Sequence, residues 1–166
     1  MASRQELTQS SLNEWFDYDG KTLSWKDKTR ETKICFNNMG YPVIRFTNNT
    51  RLVHRLVYLM WHGNLPKQLD HINNDRTDYS ITNLRPATSS ENQANKRAEK
   101  QNRSGYKGVC WDVKFKRWQA RAAFNKKHYS AVGFKSAEDA HDFVCLLRDM
   151  LHGEFANHKG VINWPQ

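Results

Sequence analysis

The sequence predicts an α+β protein built as two modules, and three observations carry that prediction. Short apolar runs bounded by Asp-Gly and Asn-rich turns fill the first fifty residues, the pattern of hairpins. Between residues 106 and 153, three strand-length runs precede one capped amphipathic helix. That order is expected to give a three-stranded antiparallel sheet packed on one helix. The charge also breaks along the chain. Residues 54–95 are neutral, whereas Lys96 to Lys135 hold 12 basic side chains against Glu99 and Asp112, a net +10. The expected division is a first module over 1–95, a basic linker over 96–105, a second module over 106–157 and a tail over 158–166.

In chain order, Trp15–Tyr18 and Thr22–Trp25 flank Asp19-Gly20 and read as a hairpin. Lys33–Phe36 and Tyr41–Phe46 read as a second pair around Asn37–Gly40, and Asn48-Asn49 turns the chain into Arg51–Val53. His54–His62 is helical and stops at Gly63, with Pro66 beyond. Thr88-Ser-Ser-Glu91 is a capping box opening a further helix that carries Asn92 and Asn95. Tyr106–Val113, Arg117–Phe124 and His128–Phe134 are the three later strands. In the middle one Trp118, Ala120, Ala122 and Phe124 share a face, and Gln119, Arg121 and Ala123 the other. Ser136 and Asp139 cap the last helix, which Gly153 closes. Its apolar stripe, Ala137, Ala140, Phe143, Val144, Leu147, Met150 and Leu151, is expected to cover the Trp118 side, leaving the Arg121 side open and basic.

Composition excludes several classes. No run of about 18 apolar residues exists, so no transmembrane helix is expected. The N-terminus lacks a basic start followed by an apolar core, so no secretory signal is read. Cys35, Cys110 and Cys145 stand far apart with no Cys-x-x-Cys pair, which argues against a disulfide framework and a structural zinc site. Buried thiols in a reducing compartment are the expectation, hence an intracellular protein that is not secreted. A net charge of +9 with 12% aromatic residues points first to a polyanion partner.

Chemistry concentrates in Leu69-Asp-His-Ile-Asn-Asn-Asp-Arg-Thr-Asp-Tyr-Ser-Ile-Thr-Asn-Leu-Arg85. Phosphodiester hydrolysis needs a base for water, a cation on the phosphate and relief of charge on the leaving oxygen. A carboxylate, a histidine and amide oxygens supply these, as hard ligands for Mg²⁺ rather than zinc. Asp70 and His71 are neighbours, so they address one site only at a strand end or turn. On composition alone, caps and Asx-turns at Asp70, Asn73 and Asn83 are the simpler reading.

His54-Arg-Leu-Val, Asp70-His71, Asn83-Leu-Arg85 and Ser90-Glu-Asn92-Gln-Ala-Asn95 together resemble the HNH endonucleases of phage and intron homing type. The resemblance implies a ββα-metal site, a hairpin and a helix pinching one divalent ion. It assigns His71 as the general base, Asp70 and Asn92 as metal ligands, and Asn83 as the residue tying the hairpin loop and holding His71. Asn92 stands where many members carry a final histidine. The implied cofactor is Mg²⁺, with Mn²⁺ as the alternative, and the implied partner is double-stranded DNA in the cytoplasm of a host cell. The oligomeric state stays open between monomer and homodimer.

Tyr106-Lys-Gly-Val109, the Trp118 strand, Gly133-Phe134, Ser136-Ala-Glu-Asp-Ala140 and His152-Gly-Glu-Phe-Ala-Asn157 resemble the plant ethylene-response-factor (APETALA-type) DNA-binding domain. That family reads the major groove with its sheet. By position, Lys107, Gln119, Arg121 and Tyr129 fall on the DNA side, with Lys114 and Arg117 at the first turn; Lys126 and Lys127, at the second, are expected on phosphate. Ala123 and Ala131 replace larger contact residues, so the plant target sequence does not transfer.

Blander readings apply elsewhere. Trp118, Phe134, Phe143 and Leu147 are expected in the core, while Trp111 shares Lys107's strand parity and is open between stacking on DNA and packing. Lys96, Arg97, Lys100 and Arg103 are expected on phosphate rather than merely solvated. His62, His128, His141, His152 and His158 are read as structural; His54 is open between a part in the site and a mere buttress, and Arg85 between neutralising phosphate and locking the loop by a salt bridge. The whole reads as a metal-dependent HNH endonuclease, homing or site-preferring, yielding 5′-phosphate and 3′-OH. The rival is a non-catalytic, sequence-specific DNA-binding protein with a relic HNH fold, which would not need the Asp70/His71/Asn83/Asn92 set. An RNA nuclease is weaker, because a rigid sheet suits the DNA major groove better than the deep A-form one.

Overall fold

The structure, a computed structural model, describes residues 7–96 and 104–158. The chain divides into two units, Met1–Ala87 and Thr88–Gln166.

The first unit starts with α1 (Gln9–Trp15), whose Thr8 N-cap exchanges bonds with Ser11. Sequence periodicity misses this helix, because its apolar side chains are only Leu12 and Trp15. Leu12 is fully buried. The hairpin β1 (Phe16–Tyr18) and β2 (Leu23–Trp25) follows, its turn held by Asp19 Oδ1 accepting from the amides of Lys21 and Thr22. A three-stranded antiparallel sheet comes next, with order β3 (Cys35–Phe36), β4 (Pro42–Phe46) and β5 (Asn49–Leu52). The β4–β5 turn falls on Thr47-Asn48, one residue before the expected Asn48-Asn49; both have positive φ, the tight-turn geometry that leaves Phe46 opposite Asn49.

α2 (Val53–His62) buries seven of its ten residues, and Gly63 ends it in the left-handed region, φ 72°, where a side chain would be strained. Leu56, Val57 and Leu59 of α2 share one core with Leu12, Phe16, Leu23, Ile44, Phe46 and Leu84. β6 (Leu69–His71) and β7 (Leu84–Pro86) form an antiparallel pair. The Tyr18 hydroxyl lies 2.7 and 2.8 Å from the carbonyls of Gly20 and Tyr79, and the Ile81 amide donates to Gly20 at 2.9 Å. These bonds tie the first hairpin to the loop between β6 and β7.

The second unit begins with α3 (Ser89–Asn95), opened by the reciprocal Thr88/Glu91 capping box. A boundary at 95 was expected from charge, but α3 belongs with the C-terminal residues. Its last carbonyls are held there: Asn157 Nδ2 donates to the Asn95 carbonyl at 2.6 Å, and Lys107 Nζ to that of Ala94 at 2.5 Å. The antiparallel sheet runs in the order β10 (Lys127–Phe134), β9 (Arg117–Phe124), β8 (Val109–Asp112). Val109 and Ala120 from the sheet share a core with Ala137, Ala140 and Val144 of α4 (Ala137–His152).

Three expectations change here. β8 starts at Val109, not Tyr106, because Gly108 takes φ +75° where the chain passes against the Arg121 carbonyl and Arg148. The buried stripe of α4 runs Ala137, Ala140, Val144, Arg148, so Met150 is 84% exposed, and Phe143, expected in the core, is 40% exposed with its ring against Phe134. Arg148 turns inward because its Nη2 donates to the Lys107 carbonyl, a partner no helical pattern announces. No described helix is long and apolar enough to cross a membrane.

Candidate functional site

In the first unit, His71 is the last residue of β6, so it and Asp70 leave the strand in different directions while both are buried, each 6% exposed. The His71 ring meets His54 edge-on, centroids 5.0 Å apart, and Tyr41 at 5.8 Å; His54 and Tyr41 are 5.3 Å apart. His54 comes from the first turn of α2, and Tyr41 immediately precedes β4. Three elements therefore converge on one imidazole. Burial pushes the His54 pKa down to about 4, with a further push from His71. Burial also lowers the pKa of His71, against the raising influence of the Asp70 carboxylate. A neutral imidazole at neutral pH is the form able to take a proton.

Asp70 pairs across the hairpin with Arg85, whose Nε and Nη2 each lie 2.9 Å from Oδ2. Of the two readings open for Arg85, this is the salt bridge that locks the loop. Asn83 Oδ1 accepts from the Asn73 amide at 3.0 Å, Asn83 Nδ2 donates to the Asp78 carbonyl at 2.9 Å, and its carbonyl accepts from the Ile72 amide. The chain segment directly after His71 is held from one buried side chain. Asn73, Asp75 and Asp78 each accept from an amide two residues on, so Asx-turns do account for part of this polar loop. Arg76 donates to the Met39 carbonyl and stacks over Tyr41 at 5.1 Å. Tyr41 and Arg76 were not singled out from sequence, and no spacing signal would have found them.

Asn92 lies on α3, in the second unit. Among the described residues, no group of three His, Cys, Asp or Glu side chains is arranged to hold a metal. Cys35, Cys110 and Cys145 are free thiols; Cys35 is exposed rather than buried as expected, lying on the short β3.

In the second unit, the register fixes which side chains share a sheet face. Gln119 is opposite Cys110, Arg121 opposite Ser130 and Ala123 opposite His128, so these line the open side. Trp111 is opposite Trp118, and Tyr129 opposite Ala122; both therefore lie on the α4 side, which moves Tyr129 off its expected DNA side and places Trp111, open between the two faces, beside Trp118. Lys107 precedes the strand, so its parity does not carry to Trp111. Lys107 itself is half-buried, its ammonium committed to α3, and burial lowers its pKa to about 8. Gln119 is 8% exposed. Lys114, Arg117, Arg121, Lys126 and Lys127 are exposed. Lys96 is also exposed, whereas Arg97, Lys100 and Arg103 lie outside the described residues.

Residues 51–94 match the HNH endonuclease family. The HNH match runs through α2, β6, β7 and most of α3, and includes Asp70, His71, Asn83 and Asn92. Protein 3.8 of Escherichia phage T7 is 29% identical over 110 residues, 64% of this chain and 88% of that protein. An uncharacterized HNH endonuclease of Acanthamoeba polyphaga mimivirus is 29% identical over 127 residues, 75% of this chain and 65% of that protein. No solved structure matches the chain. Together these HNH matches support an HNH-type nuclease.

Proposed function

We propose that this chain is a metal-dependent endonuclease of double-stranded DNA, with an HNH ββα-metal site and a C-terminal sheet that reads DNA in the manner of ethylene-response-factor domains. The observation that carries the reading is the buried, neutral His71 at the end of β6, braced by Tyr41 and His54 beside Asp70. His71 takes a proton from the attacking water. Asn83 fixes the segment after His71 and so limits the imidazole's drift. The phosphodiester opens to 5′-phosphate and 3′-OH, at homing or otherwise preferred sites.

The Asp70 carboxylate suits a hard divalent ion. Asp70 offers a carboxylate whose Oδ2 is shared with Arg85, and a carboxylate has lone pairs enough for both. Mg²⁺ commonly takes one or two protein oxygens plus substrate phosphate and water, so the Asp70 carboxylate alone meets that need. When bound, Mg²⁺ or Mn²⁺ supplies positive charge to the scissile phosphate and the leaving 3′ oxygen. Arg117 and Arg121 face the major groove, and Lys114, Lys126 and Lys127 at the strand ends meet phosphates.

The deciding experiment incubates supercoiled plasmid with the full chain and Mg²⁺, Mn²⁺ or EDTA. Nicked or linear plasmid in the metal arms alone is expected; binding without any cleavage would leave the non-catalytic DNA-binding reading.

A further inference from the structure

Arg121 does not stand alone on the open sheet face. Its Nε and Nη2 lie 2.9 and 2.5 Å from Gln119 Oε1, two residues back on the same side of β9. Arginine has only donors, so Gln119 must present its oxygen here, which fixes the orientation of the amide. The Cys110 thiol, from the neighbouring strand, lies 3.8 Å from the same oxygen. Gln119 is buried while Arg121 is exposed, so the glutamine is the anchored partner. Nε and Nη2 form one edge of the planar guanidinium. Holding that edge against the sheet turns the other edge, Nη1 with the second Nη2 proton, toward solvent. With Gln119 and Arg121, the residues Ala122, Ala123, His128, Tyr129 and Ser130 line a shallow depression of about 410 Å³.

We infer that Gln119 is a positioning residue, not a base contact, and that it presets Arg121 for end-on recognition of the O6/N7 edge of a guanine. This rests on the reading of the sheet as a DNA-reading surface. A free arginine loses rotamer freedom on binding, whereas a buckled one has lost it on folding. The preset edge also matches the two parallel acceptors of guanine and no other base in the major groove. Gln119 therefore acts on specificity through Arg121.

The test uses the full chain, metal-free, in competition binding against a randomised duplex library at two salt concentrations. Arg121→Ala should flatten the preference at one G·C pair. Gln119→Met keeps length and volume but loses the acceptor, and should reduce the preference at that same pair about two- to tenfold, the ordering cost of one long side chain. Gln119→Glu restores an acceptor and should restore the preference, whatever it does to total affinity. Lys126→Ala should weaken all sequences alike and lower the log–log salt slope by about one.

In this assay two results overturn the inference. If Arg121→Ala flattens the pair and Gln119→Met leaves it intact, Gln119 does not preset the arginine, and the DNA-reading assignment stands. If Arg121→Ala changes no base preference, the reading assignment fails and the inference with it. A second measurement needs no variant: in the free wild-type chain the Arg121 Nε proton should give a resolved NMR signal in slow exchange with water. An Arg121 Nε proton exchanging as fast as those of Arg117 would overturn the buckle directly.

Discussion

Arg85 reaches across the β6–β7 hairpin and places both Nε and Nη2 2.9 Å from a single oxygen, Oδ2, of the buried Asp70. The pair is largely withdrawn from water, with side chains 13% and 7% exposed. Its net contribution over an apolar pair is small, but removing one partner strands a charge. Arg85→Met is expected to destabilise the first unit by about 3–5 kcal/mol. Arg85→Lys should recover only part of that, because an ammonium cannot direct two fixed N–H groups at one oxygen. Urea unfolding followed by tryptophan fluorescence reads both.

The proposed function gives His71 and Asp70 different parts, and their variants should differ accordingly. His71→Ala should lower plasmid cleavage by about two to four orders of magnitude while DNA affinity changes little. Asp70→Ala should also abolish cleavage, through loss of metal, and excess Mn²⁺ should partly restore it. The same Mn²⁺ should not help the histidine variant. Wild-type rates in His71→Ala would remove it from the mechanism.

Acid should weaken the first unit through His54. Its pKa is 6.5 when unperturbed and about 4 when folded, because burial and the neighbouring His71 disfavour the imidazolium. Between those values the unfolded chain binds a proton that the folded chain does not. Stability is therefore fully present above about pH 6.5, falls as pH drops below it, and levels off below about pH 4. By pH 5 the loss from this one group is about 2 kcal/mol. Urea midpoints at pH 7.5, 6 and 5 should show the slope, and His54→Phe should flatten it; the lowered pKa of His71 adds in the same direction.

The second unit should include α3. Asn157 is buried and donates to the Asn95 carbonyl at 2.6 Å, so Asn157→Ala should cost the unit about 1–3 kcal/mol. A fragment over 88–166 should melt cooperatively and at a higher temperature than one over 96–166. Equal melting temperatures would show that α3 adds nothing to that unit.

Local grammar was legible in the residues themselves. Asp19-Gly20, Gly63, the Thr88/Glu91 capping box and the Ser136 cap each mark an element end through bonds made within a few residues. Alternation along Arg117–Phe124 by itself sorts Gln119 and Arg121 from Ala120. What the tertiary structure alone decided are the pairings between side chains far apart in sequence. It set Lys107 on the carbonyl of Ala94, turned Arg148 inward to the carbonyl of Lys107, assigned Trp111 and Tyr129 to the α4 side, and brought Tyr41 and His54 to His71. The reason is that a periodicity reports which face a residue shares within its own element. A charged or aromatic side chain commits to whatever donor, acceptor or ring the chain returns beside it, and only closure of the fold settles which one that is.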